Sequence, residues 1–315
     1  MNFKIDFFGK RKLFVIITIV YVVIAIACNF VPFFGPTLDI MFKGGAISSF
    51  SYDGEMEQST LDKTVTEVFK DSVEIQFKED KANNIKSFDV TYGGKTITPD
   101  QEKEIEIKLA ETFADNNVKM MQHISVSAQM GRDFLIKAII AIVIASLVLL
   151  VYVGFRFRKI GGIAAGAMSI VAVLHDVFIA YTVFVVCNFT INDNFIAVVL
   201  TILGFGLNDT VVIYDRVREN RKLMGPKTTV EDLVNNSLNQ TLTRTTFISL
   251  VTILSIAVVC VVALIYDIQS IQTFAFPMMI TLIASVYSTN CLALPLWASI
   301  QKKREQKLLA AKRAK

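Results

Sequence analysis

The stretch Phe195–Tyr214 reads FIAVVLTILGFGLNDTVVIY, twenty residues with one ionisable side chain inside the apolar run, Asp209. A helix needs roughly 20 residues to cross the ~30 Å hydrocarbon layer of a bilayer. Five further apolar runs of that kind follow from the same sequence: Leu13–Phe34, Phe134–Phe155, Ile160–Cys187, Thr245–Ile265 and Phe274–Ile300. They account for a chain that is 53% apolar and only 19% charged, against about 25% charged for an ordinary soluble domain. A soluble enzyme and a secreted disulfide scaffold are excluded. The net charge of +4 is small and its cations sit beside the apolar runs, which argues against a nucleic-acid binder. Cys28, Cys187, Cys260 and Cys291 all lie in apolar runs without CxxC spacing and read as small packing residues. His123 and His175 are too scattered to hold a metal, so neither metal nor cofactor is expected.

Charge placement sets the expected topology. Residues 1–12 carry four Lys and Arg, the link after the second run three (Arg156, Arg158, Lys159), the link after the fourth run five, and the tail Lys302–Lys315 seven. The links Asn188–Asn194 and Tyr266–Gln272 carry none. Positive residues stay on the cytoplasmic side, which puts both termini inside a multi-pass protein of the cell membrane. Residues 37–131 have a net charge of −7, and parity places them outside. The N-terminal run is longer than the 7–15 residues of a signal-peptide core and reads as a retained anchor. The expected divisions are 1–36 for the N-terminus and first span, 37–131 for the outside module, 132–301 for spans two to six, and 302–315 for a basic tail.

Within 37–131 the periodicity switches repeatedly. Ala46–Tyr52, Ser72–Phe77, Ile85–Tyr92 and Val118–Val126 read as strands. Ser59–Lys70 and Pro99–Asn116 have helical spacing, with Thr98 as a cap and Ile105, Leu109 and Phe113 on one face. The order βαββαβ is the ferredoxin-like split unit, and Gly93-Gly94 marks a turn. Gly44, Gly45 and Gly131 flank the module and predict backbone freedom at its anchors. No catalytic cluster stands out. The expected fold is therefore a polytopic α-helical membrane protein of six transmembrane helices, with a small α+β extracytoplasmic domain between helices 1 and 2.

Ionisable residues within spans cost about 2.5–3.5 kcal/mol each on insertion scales, so each asks for a reason. Asp209 lies deep in the fourth run with no cation within a helical turn, and it is the leading candidate for a titrating group; Asn208 precedes it. His175-Asp176 lie in the third run and read either as part of a polar path or as a structural pair. Arg244 opens the fifth run and either snorkels or meets a carboxylate. Thr245, Ser249, Thr252 and Ser255 recur after it on one helix face. Gly162-x-x-x-Gly166 and Gly204-Phe205-Gly206 read as close-packing faces.

Five ordered segments carry a family resemblance. They are Phe42-Lys43-Gly44-Gly45, Tyr152 to Phe157 (YVGFRF), Leu174-His175-Asp176-Val177, Leu207 to Asn220 (LNDTVVIYDRVREN), and Asn239-Gln240-Thr241-Leu242-x-Arg244-Thr245. Together they resemble the SecF branch of the SecD/SecF protein-export family, within the RND-type superfamily. The resemblance implies half of an RND-type transporter, a SecD partner supplying the matching six helices, and work beside the SecYEG channel and the SecA motor. There the proton or sodium motive force would draw an emerging preprotein outward, without covalent catalysis. It also implies that Asp209 and Arg244 couple the ion, with Asn208, Asp176, His175 and Thr245 in support. Departures occur at Met41, at Tyr266-Asp267-Ile268-Gln269 and at Val126-Ser127-Ala128, where the family pattern has Asp, Gly-Gly and Val-Gly-Pro. Competing readings are a stand-alone RND-type transporter of small molecules or lipids, and a passive scaffold of the translocon.

Overall fold

The computed structural model describes residues 5–30, 35–69, 73–80, 85–93, 99–225 and 228–313. The expected cap Thr98, the Gly94 turn, the end of the first run beyond Phe30, and the element boundaries placed at Lys70 and Ser72 lie outside them. Among the described residues six helical stretches are long and apolar enough to cross a membrane. In chain order the elements are α1 (Arg11–Cys28), α2 (Ile40–Lys43), β1 (Gly45–Tyr52), α3 (Gln58–Phe69), β2 (Glu74–Asp80), β3 (Ile85–Gly93), α4 (Pro99–Thr112) and β4 (Lys119–Val126). They continue with α5 (Ala128–Arg156), α6 (Gly162–Val186), α7 (Asp193–Leu223), α8 (Val230–Ile265), α9 (Gln269–Tyr287) and α10 (Leu294–Arg313).

The sheet has the order β2-β3-β1-β4 with every neighbour antiparallel, the arrangement that the βαββαβ order demands. Phe50 of β1 lies opposite Phe88 of β3, and their rings stack at 5.2 Å. Leu61 and Val65 of α3 and Ile105 and Leu109 of α4 bury against them, which is the core the helical spacing implied.

The joint between sheet and bundle is tight where the flanking glycines had suggested freedom. A Cβ on Gly131 would lie 2.9 Å from both the Gly44 nitrogen and the Phe42 carbonyl, and one on Gly44 would lie 2.5 Å from Ala128 Cα. Gly44 and Gly45 also hold φ of 79° and 144°, so the anchors use both the conformational freedom of glycine and its close backbone approach. Phe42 stacks on Phe134 at 5.7 Å. Ser127 caps α5 by accepting from the Met130 amide, so the departure from Val-Gly-Pro supplies a cap of its own. Asp39, two positions before Met41, likewise caps α2. At the third departure Asp267 takes the left-handed φ of 52° that a glycine would have held.

Three spans differ from the hydropathy reading. α1 ends at Cys28. α8 begins at Val230, well before Thr245, because Thr229 accepts from the Asp232 amide and Val230, Leu233, Val234 and Leu238 bury one face. The last span is not one uniform helix: a π-turn at Ser288–Ala293 joins α9 to α10. Pro295 has no N–H to offer the Cys291 carbonyl four residues earlier, so the ladder widens there. The Gly162–Gly166 face packs closely as expected, since a Cβ on Gly162 would stand 2.0 Å from the Gly154 carbonyl oxygen, but the Gly204–Gly206 face does not: a Cβ on Gly204 would meet nothing within 4 Å.

The bundle has two ends. One carries the sheet; the other carries the arginine-rich links and is referred to below as the basic end. At the basic end Phe7, Phe8, Phe157, Tyr214 and Trp297 form one buried cluster.

Candidate ion-coupling site

Asp209 sits on α7 where that helix passes α8, and it is half-buried. Ser249 of α8 donates its hydroxyl to Asp209 Oδ2 at 3.2 Å; no cation pairs with this carboxylate among the described residues. Further along the same seam the guanidinium Nε of Arg216 donates to Gln240 Oε1 at 2.7 Å, and Asn220 Nδ2 donates to Ser237 Oγ at 2.9 Å. These pairs advance antiparallel, close to one residue for one residue. On that register Arg244 comes level with Ile213, one helical turn and about 6 Å of rise from Asp209.

Arg244 is exposed and makes no ion pair among the described residues. Of the two readings of Arg244, the one in which it meets a carboxylate is not formed in this conformation among the described residues. The reason is register: the opposing position is taken by Ser249, and Arg244 is set one turn towards the basic end. There it lines an open cavity of about 750 Å³, shared with Val212, Asp215, Arg216 and Gln240. Most arginines around it are already engaged. Arg156 and Arg218 stand on the Asp215 carboxylate at 3.2 and 2.8 Å, and Arg216 on Glu219 at 2.7 Å.

The other intramembrane candidates divide between two places. Thr245 is buried, with its hydroxyl turned back onto the Thr241 and Leu242 carbonyls. Asn208 is exposed. Along the expected polar stripe, Ser255 faces outward while Ser249 alone reaches a carboxylate. His175 and Asp176 lie elsewhere, deep between α6, α7 and α9, with His175 Nδ1 and Asp176 Oδ1 3.0 Å apart. The rings of Tyr21 and Tyr287 flank the imidazole at 6.1 and 5.9 Å. Among the described residues Asp176 Oδ2 accepts no well-formed hydrogen bond, although the Ser285 and Ser288 hydroxyls are its neighbours. The single polar path implied by the sequence is thus two sites: a seam site at Asp209 and a buried pair at His175-Asp176.

Residues without an assigned role in the sequence reading hold the seam together. Asn220 is 2% exposed and bridges Ser237 and Gln240. Asn235 and Asn239 bind the N-terminal segment: Asn239 exchanges two hydrogen bonds with the Ile5 backbone at 2.9 Å, and Asn235 accepts from the Phe8 amide and donates to Asp6. Their signal was present, since Asn235 and Asn239 are four residues apart and so share one helix face.

The family described as "Protein export membrane protein SecD/SecF, C-terminal" matches residues 105–303. The chain belongs to the SecD/SecF family. It is 32% identical to the protein translocase subunit SecF of Calditerrivibrio nitroreducens over 91% of this chain and 90% of that one. To the SecF of Petrotoga mobilis it is 30% identical, over 96% and 98%. The SecDF of Bacillus subtilis is 32% identical over 93% of this chain but only 38% of its own length. The crystal structure of SecDF from Thermus thermophilus, described as a translocon-associated membrane protein, superposes with a TM-score of 0.77 at 25% identity, covering 95% of this chain and 39% of that one. This chain thus spans about two fifths of the SecDF chains and nearly the whole of these two SecF chains. The six-span membrane fold with a small sheet domain agrees with that SecDF structure, which matches over 95% of this chain.

Proposed function

We propose that this accessory subunit of the Sec protein-export apparatus uses a transmembrane ion gradient to promote late translocation of preproteins, with Asp209 as the group that takes up and releases the ion. The observation that carries the reading is the seam itself. A half-buried carboxylate is held by one hydroxyl, and an exposed guanidinium without an ion pair among the described residues stands one turn away across the seam.

Moving one charge through the membrane field is worth about 2.3 kcal/mol per 100 mV, comparable to the cost of a carboxylate in a span. A gradient of ordinary size is therefore matched to the protonation of Asp209. In one state Ser249 alone supports the carboxylate. In the other Arg244 swings one turn along α8 to replace it, and the planar fork of Arg suits that capture. Each ligation favours a different packing of α7 against α8, and a two-state element biased in this way is what ion coupling requires. The cavity beside Arg244 gives the released ion a route to the basic end.

The basic end is taken as cytoplasmic by the positive-inside rule, with both termini there, and residues 37–131 as the extracytoplasmic module. A SecD subunit supplies the complementary six helices; SecYEG, SecA and the emerging preprotein are the further partners. The protein carries out no covalent chemistry of its own. Asp209→Asn tests the coupling role, because the amide keeps the shape and never ionises. Export from inverted vesicles should lose the fraction that an uncoupler abolishes while assembly with SecD persists. Unchanged uncoupler-sensitive export would leave only a scaffold role for the seam.

A further inference from the structure

At the basic end four arginines are matched by carboxylates among the described residues: Arg156 and Arg218 by Asp215, Arg216 by Glu219, Arg221 by Glu305. Two that are not, Arg158 and Arg304, come together away from the cavity at Arg244. They line a groove of about 480 Å³ between α5, α6 and α10, and no acidic side chain lines it. Neither arginine makes an ion pair among the described residues. Arg158 rests over the Phe155 ring at 4.4 Å, which orients its guanidinium without consuming the donors.

The rest of the groove is apolar. Gly154 and Gly162 bring the α5 and α6 backbones so close that a side chain at Gly162 would collide with the Gly154 carbonyl. The floor is therefore backbone and small side chains, continuing through Ala167, with Ile300 as a wall. The volume lies within the roughly 300–1,000 Å³ of ligand sites. A soluble anion would find two cations there but nothing to gain from the apolar floor. A molecule with a phosphate head and a hydrocarbon chain matches both parts.

We infer that this groove binds one anionic phospholipid of the inner leaflet, its phosphate between Arg158 and Arg304 and an acyl chain along the floor past Gly162 and Ala167. Arginine is the side chain suited to forked recognition of phosphate oxygens. The leaflet is also the right one, since positive links face the cytoplasm and that leaflet is the anionic one. With about 1 kcal/mol per cation at such a surface, two arginines give about a thirtyfold preference for a net-negative headgroup over a zwitterionic one.

The test is native mass spectrometry of the full chain co-purified with its SecD partner and titrated with phosphatidylglycerol or with phosphatidylcholine of the same chains. One phosphatidylglycerol should be retained per complex with about a thirtyfold preference, and millimolar inorganic phosphate should not displace it. Arg158→Gln with Arg304→Gln should bring retention down to the phosphatidylcholine level. Ala167→Leu, which fills the floor and leaves both charges, should also lower it. Lys303→Gln with Lys312→Gln, at the same end but outside the groove, should leave it unchanged. Equal retention of the two lipids, displacement by inorganic phosphate, or full retention by both groove variants would overturn the assignment.

Discussion

Ser249 donates a hydrogen bond to Asp209 across the α7–α8 seam at 3.2 Å, and no second side chain shares that carboxylate among the described residues. A hydrogen bond to a charged group contributes about 1.5–3 kcal/mol. Ser249→Ala removes it without adding bulk to a half-buried position. Uncoupler-sensitive export should fall by about tenfold or more, since each ~1.4 kcal/mol is a factor of ten, yet remain above that of Asp209→Asn. Parental export rates in the Ser249→Ala variant would mean that the hydroxyl is incidental to the carboxylate.

Arg244 offers a sharper discrimination. It is exposed and has no ion-pair partner among the described residues, and a snorkelling role would be met equally well by lysine. Capture of Asp209 from one turn away asks for reach and for a planar pair of donors, which lysine lacks. Arg244→Lys should therefore insert normally, assemble with SecD and lose most of its uncoupler-sensitive export. Near-parental export by the lysine variant would return Arg244 to the interface role.

The six apolar runs and the βαββαβ order were legible because each depends on local periodicity. The errors fall where structure depends on something else. The start of α8 lies in a polar stretch whose helix is set by the Thr229 cap and by the buried Val230, Leu233 and Val234, so a hydropathy reading stops short at Thr245. The π-turn before Pro295 is a fault in hydrogen-bond register, to which hydropathy is blind. Asp209 was identifiable as a deep carboxylate. Its partner was not, because the register between α7 and α8 is fixed by Arg216–Gln240 and Asn220–Ser237 contacts that no periodicity encodes. The same limit separates His175-Asp176 from the seam.

The N-terminal segment is latched to α8 through Asp6 as well as through Asn239. The Gly9 amide, and after it the Asn235 side chain, hold the Asp6 carboxyl below its usual value of 3.8. A lowered folded-state value means that this contribution is fully present above the unfolded value and is lost as pH falls through the lowered one. A nitroxide at position 10 in a cysteine-free background should be immobilised at neutral pH and loosen only below about pH 3.8. Asn235→Ala should loosen it at neutral pH already. If the label's mobility is the same in both proteins at neutral pH, Asn235 does not hold the segment.

The sheet domain is tied to the bundle at a second place besides the Gly44–Gly131 contact. Leu38 forms a parallel bridge with Ile191 in the α6–α7 link: the Ile191 amide donates to the Thr37 carbonyl at 2.7 Å, and the Asp39 amide donates to the Ile191 carbonyl at 3.1 Å. This bridge joins the root of the sheet domain to the two helices that carry Asp176 and Asp209. A packing change of α7 reaches the sheet domain most directly here. If export needs the two to shift relative to one another, the bridge must open in each cycle. Paired strand positions lie within the roughly 4.4–6.8 Å Cα separation that a disulfide spans, so Leu38→Cys with Ile191→Cys in a cysteine-free background should close a covalent lock. Oxidation should then block uncoupler-sensitive export, and reduction should restore it, with either single cysteine unaffected. Full export with the lock demonstrably closed would place the working motion elsewhere and leave the Leu38–Ile191 bridge as a fixed strut.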